Sequence, residues 1–473
     1  MPRRIRRRFS ACTMLLIAAL AFSPPLAGAA ELEVQARPRG VMTLFGALAA
    51  AYRNNPQLNA ERARVRATDE NIPQALSGYR PQVSATADVG VQHVDSATAA
   101  GGVTGTTAPR GFGVTATQTL FNGLRTANRT RAAEGQVFAA REALRVLEQQ
   151  ILLDGVTAYM NVLRDTAILD LQRRNVEVLE EQLRQTRDRF NVGEVTRTDV
   201  AQAESRLAAA RSTALQAESN LSTSRAVYRR VIGIEPAALA PGAPVDRLSP
   251  RVLSIAVNRG ITENPLVTAS MYGVDVALLA VKINEGALYP TLVAQANAQQ
   301  RYDSSPTTQR SFSVSGVLQL TIPIYQGGTE YSLIRQSKES LGQQRLILEQ
   351  QRDQVRANVV QAWGLLEASK AQIQAAQAQV TAAEIALNGV REEARVGQRT
   401  TLDVLNAQQE LVNARVTLVT AQRDRVVNSY TLLAATGHLS PQVLGLGVSV
   451  YDPRVHYHQI RDAWIGVRTP DGR

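Results

Sequence analysis

The second half of this 473-residue chain repeats the first half at a nearly constant spacing. Residues 193–200 precede residues 397–404, which have the same turn-and-helix pattern, by 204 positions. Pro81 precedes its counterpart Pro290 by 209 positions, so the first copy holds five extra residues between Pro81 and Leu120. A duplication of this size indicates an architecture that is built twice, and it argues against one catalytic pocket.

The repeat divides the chain into five parts. They are a signal peptide (1–29), a first structural repeat (43–233), a linker (234–252), a second repeat (253–437) and a C-terminal tail (438–473).

The N-terminal segment has the composition of a secretory signal peptide. Five arginines precede the apolar run 14–22, and residues 27–29 form an A-x-A cleavage site. Cleavage after Ala30 fits nearly as well, whereas a membrane anchor would need about 20 apolar residues. Cys12 is the only cysteine, so the mature chain should have no disulfide and no cysteine-based metal site. These features predict export to the bacterial envelope.

Net charge and hydropathy argue against two classes of protein, those that bind nucleic acid and those that cross a membrane with helices. Removing the five N-terminal arginines lowers the net charge from +11 to +6, and no dense basic stretch with interleaved aromatics remains. Nucleic-acid binding is therefore not expected. After residue 30 we find no run of about 20 apolar residues, so we expect no transmembrane helix.

Each repeat carries two long segments with apolar residues every seven positions, which is typical of coiled-coil packing. No proline interrupts residues 124–190, and 67 helical residues would reach about 100 Å. Gly193 and Gly397 are typical of left-handed helix caps, and each is followed by a Thr-x-x-Asp helix start. We therefore predict antiparallel helical hairpins over 124–231 and 328–436.

Before each hairpin, apolar and polar residues alternate, as in strands with one apolar face. This pattern predicts strand pairs at 82–121 and 291–324, with polar links at 99–107 and 303–308 that we expect to be exposed loops. In lipid such a sheet must close on itself, so several chains must contribute. Two chains would give eight strands and three would give twelve, and a soluble β-layer on a helical rod is a third interpretation.

Four elements, in this order, carry a family resemblance. They are the duplicated half, the strand-to-helix junction 323–328, the tip 396–408 and the tail segment 444–457. Over essentially all of the mature sequence the chain resembles the TolC-type outer-membrane efflux proteins.

The resemblance implies a mainly α fold with a small antiparallel β part. Long helical hairpins would form an α-barrel, and trimerisation would complete a transmembrane β-barrel. The homotrimer would contact outer-membrane lipid of a Gram-negative cell and extend into the periplasm. Its tips would meet a periplasmic adaptor (membrane fusion) protein and an inner-membrane transporter. No cofactor and no nucleic acid is implied.

The acidic residues of the tips have two compatible interpretations. Asp199 and Asp403 lie at helix starts, where a carboxylate stabilises unpaired N–H groups and the positive end of the helix dipole. The resemblance also implies that Asp403 lies on an aspartate ring that narrows the periplasmic entrance. It implies that Arg399 reaches toward Thr198 and Asp199 of the other tip.

Two positions differ from the family pattern. Asn406 lies where a second ring aspartate is expected, and Ala394 lies where an aromatic tip residue is expected. We therefore expect a less negative constriction, closed mainly by Asp403 and Arg399. Gly193 and Gly397 would form the tip turns.

No catalytic pattern is evident. The four histidines, at 93, 438, 456 and 458, lie in no metal-binding or nucleophile-activating arrangement. The sequence thus predicts a non-enzymatic, trimeric export channel for small molecules or proteins, serving efflux or type I secretion. The alternative is a structural coiled-coil protein of the envelope surface, although the duplicated Gly-Thr-Asp tips argue against one continuous stalk. The sequence does not select among drugs, metal ions and proteins as substrate.

Overall fold

A computed structural model describes residues 41–98, 101–470 and 472. The predicted signal peptide at 1–29 lies outside these residues, as do Ala99 and Ala100 of one predicted link. The described part is mainly helical, with a small antiparallel β part.

The helices are α1 (Leu44–Asn54), α2 (Pro56–Asp69), α3 (Asn71–Leu76), α4 (Arg125–Asn191), α5 (Arg197–Ile232), α6 (Leu253–Glu263), α7 (Pro265–Glu285), α8 (Thr329–Arg395), α9 (Thr401–Ala435), α10 (Pro441–Leu444) and α11 (Pro453–Ile460). The strands are β1 (Gln82–Val89), β2 (Gln92–Thr98), β3 (Gly101–Thr107), β4 (Arg110–Asn122), β5 (Thr291–Ser305) and β6 (Thr308–Thr321).

The two long helices α4 and α8 have 67 residues each and so extend about 100 Å. Helices α5 and α9 return along them, and each hairpin buries a narrow apolar seam that includes Leu183 in α4 and Leu387 in α8. Leu207 and Leu411 face these seams from α5 and α9, in agreement with the seven-residue repeat. Much of the surface of both hairpins stays exposed in the protomer.

The largest apolar cluster lies at the middle of α4, where α1, α5, α9 and the linker meet. Tyr159 of α4 is fully buried there, and its hydroxyl lies 2.6 Å from the carbonyl oxygen of Ala240 and 2.8 Å from that of Met42. Met42 in turn forms a parallel bridge with Leu239 of the linker. The start of the first repeat and the linker are therefore joined around the long helices.

Strands β1, β4, β5 and β6 form one antiparallel sheet in that order. One cross-strand row is apolar and consists of Ala85, Val114, Ala298 and Val314. The adjacent row is polar and consists of Ser84, Thr115, Asn297 and Ser315. The sheet therefore has one apolar face and one polar face. Among the described residues, the outer edges of β1 and β6 pair with no other strand.

The structure corrects the two predicted loops. Within 99–107, residues from Gly101 onward form β3, which pairs with β2 to extend the sheet region as a separate hairpin. This hairpin accounts for the five extra residues of the first repeat. In 303–308, strand β5 continues to Ser305 and only a two-residue turn precedes β6. Both segments are rich in threonine or serine, and their hydroxyl side chains are compatible with a solvated strand as well as with a loop.

Among the described residues, the stretch Leu253–Leu288 is long and apolar enough, by length and composition alone, to cross a membrane, although it contains no uninterrupted run of about 20 apolar residues. The stretch is divided at Asn264, whose side chain accepts a hydrogen bond from the backbone N–H of Leu266 at the start of α7. Helix α7 packs along α4 and α8, so it belongs to the helical layer of the protomer.

Candidate functional site

The two tips are the turns that join the long helices to their partners, 192–196 in the first repeat and 396–400 in the second. Gly193 has φ +81° and Gly397 has φ +80°, the left-handed conformation that glycine adopts without strain. In both tips the backbone N–H of the next residue bonds back to the long helix, from Glu194 to Arg189 and from Gln398 to Glu393. The repeat therefore produces two turns of the same geometry.

Each tip continues into a complete capping box. Asp199 Oδ2 accepts hydrogen bonds from the backbone N–H and the hydroxyl of Thr196, at 2.8 and 2.7 Å. Asp403 Oδ2 accepts the same pair from Thr400, at 3.0 and 2.9 Å. These bonds lower the pKa of both carboxyl groups, chiefly through the Thr196 hydroxyl for Asp199 and the Thr400 backbone for Asp403. Both carboxylates are charged at neutral pH and stabilise helix starts.

The tips differ in which partner of the ion pair is positive: the long helix carries the cation in the first tip and the turn carries it in the second. In the first tip, Arg189 on the long helix donates from Nε to Glu194 in the turn, at 2.9 Å. In the second tip, Glu393 occupies the position equivalent to Arg189, and Arg399 in the turn donates from Nε to it, also at 2.9 Å. The bond and the charge of Glu393 raise the pKa of Arg399. The repeat conserves the pair but reverses its direction.

Arg399 is thus joined to Glu393 of its own tip, which the sequence did not predict. The predicted approach of Arg399 to Thr198 and Asp199 is not one of its contacts in the described part of the protomer. Asp199 is instead engaged by Thr196. The approach stays a prediction for contacts between tips in the assembly.

Asn406 contacts the other hairpin. Its Oδ1 accepts a hydrogen bond of 2.7 Å from Arg206 of α5, which lies 200 residues away in the sequence. Two residues further along α9, Gln408 donates from Nε2 to Oδ1 of Asn175 in α4, at 3.4 Å. Leu405 packs into the apolar cluster of the first hairpin. The start of α9 is therefore fixed against α4 and α5 in the same protomer.

Sequence reasoning missed Arg206, Asn175 and Glu393. Only Arg206 had a usable signal, because it lies seven residues after Asp199 and thus on the same helix face. The described residues contain no group of three His, Cys, Asp or Glu side chains that could hold a metal ion.

These tips, the long hairpins and the two-faced sheet can be compared with known proteins. A family model described as outer membrane efflux protein matches residues 47–233 and 257–438, once in each repeat. The chain belongs to the outer membrane efflux protein family. The chain is 42% identical to the outer membrane efflux protein BepC of Brucella suis, over 98% of this chain and 99% of BepC. It is 27% identical to the outer membrane protein TolC of Escherichia coli, over 83% of this chain and 81% of TolC.

Solved structures of outer-membrane channels share the fold of this efflux family member. The Campylobacter jejuni CmeC outer membrane channel matches with a TM-score of 0.76 at 15% identity, over 89% of each chain. The Vibrio cholerae outer membrane protein VceC matches with a TM-score of 0.72 at 17% identity, over 83% of this chain and 96% of VceC. The predicted family, the fold class, the channel function and the outer-membrane localisation are confirmed, and a purely structural coiled-coil protein is not favoured.

Proposed function

We propose that three copies of this chain close a twelve-stranded barrel whose helices continue it as a tunnel through the periplasm. The sheet supports closure, because its two open edges must be paired in lipid. An eight-stranded barrel is filled by its own side chains, whereas twelve strands leave an open interior. The polar face of the sheet, with the Arg301–Asp88 ion pair, would line that interior.

The observation that carries this proposal is the strand register of the sheet, which places apolar side chains on one face and polar side chains on the other. Ala298→Arg places a charge on the apolar face, where it should destabilise the inserted barrel by about 2–4 kcal/mol near the bilayer centre. Asn297→Arg is the matched control one residue away on the polar face, and it should insert normally and shift conductance toward anions. The readouts are the yield of heat-modifiable trimer and single-channel conductance in planar bilayers. Equal insertion of both variants with unchanged conductance would contradict the proposed orientation.

We further propose that the tips form the periplasmic entrance, with Asp403 on the constriction and Arg399 and Asn406 beside it. Thr198 and Asp199, with the turns at Gly193 and Gly397, would complete it. The equivalent capping boxes provide a matched pair of variants. Asp403→Ala should relieve block of the channel by divalent cations, while Asp199→Ala should lose a similar helix cap and leave the block unchanged. If both variants relieve the block equally, or neither does, Asp403 does not form the constriction.

We propose small-molecule efflux as the transported class. BepC, an efflux protein by name, aligns with nearly the whole chain, whereas AprF, named as an alkaline protease secretion protein of Pseudomonas aeruginosa, is 26% identical over 63% of each chain. Deletion of the gene should raise sensitivity to lipophilic antibiotics and dyes, and complementation should restore resistance. A mutant with normal sensitivity but a missing secreted protein would favour type I secretion instead.

A periplasmic adaptor and an inner-membrane transporter are the proposed partners, and the chain itself would catalyse no reaction. The tips can be tested directly, since the only natural cysteine lies in the predicted signal peptide. Val192→Cys and Val396→Cys, both at exposed tip positions, should crosslink to the adaptor in intact cells. Leu346→Cys, exposed and far from the tip along α8, is the control that should capture less adaptor.

A further inference from the structure

The C-terminal segment 461–468 lies beside the end of the sheet that joins the helices. Arg80 lies two residues before β1 and donates from Nη1 to the carbonyl oxygen of Ala463 at 2.6 Å. Its guanidinium lies 4.6 Å from the centre of the Trp464 ring. The segment is therefore fixed where the chain enters the sheet, at the periplasmic end.

Helix α11, directly before this segment, is fixed to the helical layer. His456 Nδ1 lies 3.1 Å from Oδ2 of the buried Asp69 at the end of α2. Tyr457 packs against a buried cluster of α3 and α4 that includes Ile72 and Val137. The position of the C-terminal segment thus follows from the contacts of α11 before it and from those of Ala463 and Trp464 within it.

The segment itself exposes large apolar side chains. Trp464 is 68% exposed, Ile465 97% and Val467 100%. Exposed apolar side chains of this size on a fixed segment indicate a partner surface. Arg461 and Arg468 flank them in the sequence.

Other exposed aromatic residues lie at the same level of the molecule. Tyr79 comes three residues before β1, Tyr289 two residues before β5 and Tyr325 four residues after β6. The starts of β1 and β5 and the end of β6 share one end of the antiparallel sheet, so these side chains and Trp464 lie along its periplasmic rim. Aromatic residues are only 5% of the chain, and such a concentration at the edge of an apolar band is typical of a membrane interface.

We propose that segment 461–468 lies on the periplasmic leaflet of the outer membrane as an interfacial anchor. The ring of Trp464 would lie at the headgroup level, with Ile465 and Val467 in the acyl boundary. Arg80, Arg461 and Arg468 would face lipid phosphates, because long cationic side chains keep their charge in the polar layer. The exposed tyrosines at the same end of the sheet, Tyr79, Tyr289 and Tyr325, select lipid as the occupant, because aromatic side chains concentrate at membrane interfaces.

The chain provides a fluorescence test with a built-in control, because it contains two tryptophans. Trp363→Phe leaves Trp464 as the only tryptophan, in full-length trimer reconstituted in nanodiscs. Trp464→Phe leaves Trp363, which lies 34 residues and so about 50 Å along α8 from its membrane end. Brominated phospholipids should quench most of the Trp464 emission and none of the Trp363 emission.

Absence of lipid quenching at Trp464 would overturn the proposal. Quenching by acrylamide alone would then place Trp464 in water, and protection from both quenchers would place it against a neighbouring protomer. A second comparison tests whether the apolar side chains of the segment hold it on the lipid. The double variant Ile465→Ser/Val467→Ser should lower lipid quenching of Trp464, whereas Val396→Ser at the tip should leave it unchanged. Channel conductance of the same purified variants is measured in planar bilayers, so a failure of the anchor is distinguishable from a failure of the channel.

Discussion

The buried contact between Asp69 and helix α11 provides the sharpest energetic prediction. Asp69 is fully buried, its Oδ2 lies 3.1 Å from Nδ1 of His456, and its Oδ1 lies 3.6 Å from Nη2 of Arg141. Burial raises the pKa of Asp69, although the bond to His456 and the charge of Arg141 act in the opposite direction. Asp69→Ala would remove the only carboxylate of this group and leave Arg141 without its ion-pair partner.

The size of this destabilisation depends on the contacts that Arg141 keeps in Asp69→Ala. Removing one partner of a buried ion pair typically costs about 3–5 kcal/mol. Arg141 is 14% exposed in its side chain and stays over the rings of Tyr457 and Phe138, at 5.1 and 5.7 Å. We therefore expect Asp69→Ala to lower the free energy of detaching α11 from the helical layer by about 2–3 kcal/mol. Asp69→Asn should cost less, because it keeps an acceptor for His456 and removes a charge whose burial is unfavourable.

Native-state hydrogen exchange of residues 453–460 measures this local opening. A cost of about 2–3 kcal/mol corresponds to a loss of protection of roughly 30- to 150-fold. Amides at the tips should be unchanged in the same sample. Unchanged protection of α11 in Asp69→Ala, or a larger loss in Asp69→Asn than in Asp69→Ala, would refute the reasoning.

Three further predictions concern the tips and the apolar cluster at the middle of α4. Because the folded pKa values of Asp199 and Asp403 are lowered, their caps are fully formed above pH 3.8, and the first turns of α5 and α9 should lose exchange protection as the pH falls below that value. Arg399→Glu should increase cleavage within the second tip by thermolysin, which cleaves at apolar residues, because the introduced carboxylate repels Glu393; adding Glu393→Arg should restore resistance because the pair then matches the first tip. Tyr159→Phe should destabilise the trimer toward urea by about 1–2 kcal/mol per protomer, because the carbonyl of Ala240 loses its buried donor. An unchanged midpoint would mean that water replaces the hydroxyl.

The helical part of the fold could be predicted because its signals are local and repeated. A seven-residue apolar spacing, a glycine at each turn and a Thr-x-x-Asp start each act within a few residues, so Gly193 and Thr196 define the same turn as Gly397 and Thr400. The β2–β3 hairpin could not be predicted in the same way. Its glycines and threonines suit a loop and a solvated strand equally well, and only pairing across the hairpin decides between them.

The site was only partly predictable, since its contacts join distant segments. Arg206 and Asn406 are brought together by packing of α5 against α9, and although the spacing from Asp199 places Arg206 on the face of the tip aspartate, it does not show that Asn406 is its partner. The pair between Glu393 and Arg399 crosses a helix end, where the partner depends on the path of the turn. Capping boxes were readable from the sequence because both partners lie three residues apart.

The unpaired edges of β1 and β6 also constrain how the protein reaches its destination. A protomer released into the periplasm carries two free rows of backbone donors and acceptors, together with an apolar face that has no lipid to cover it. Such a strand edge recruits any other extended chain, including a second unfinished copy in the wrong register. If three copies close the barrel as proposed, these edges have to be paired as the chains enter the membrane, so assembly and insertion would be one coupled event.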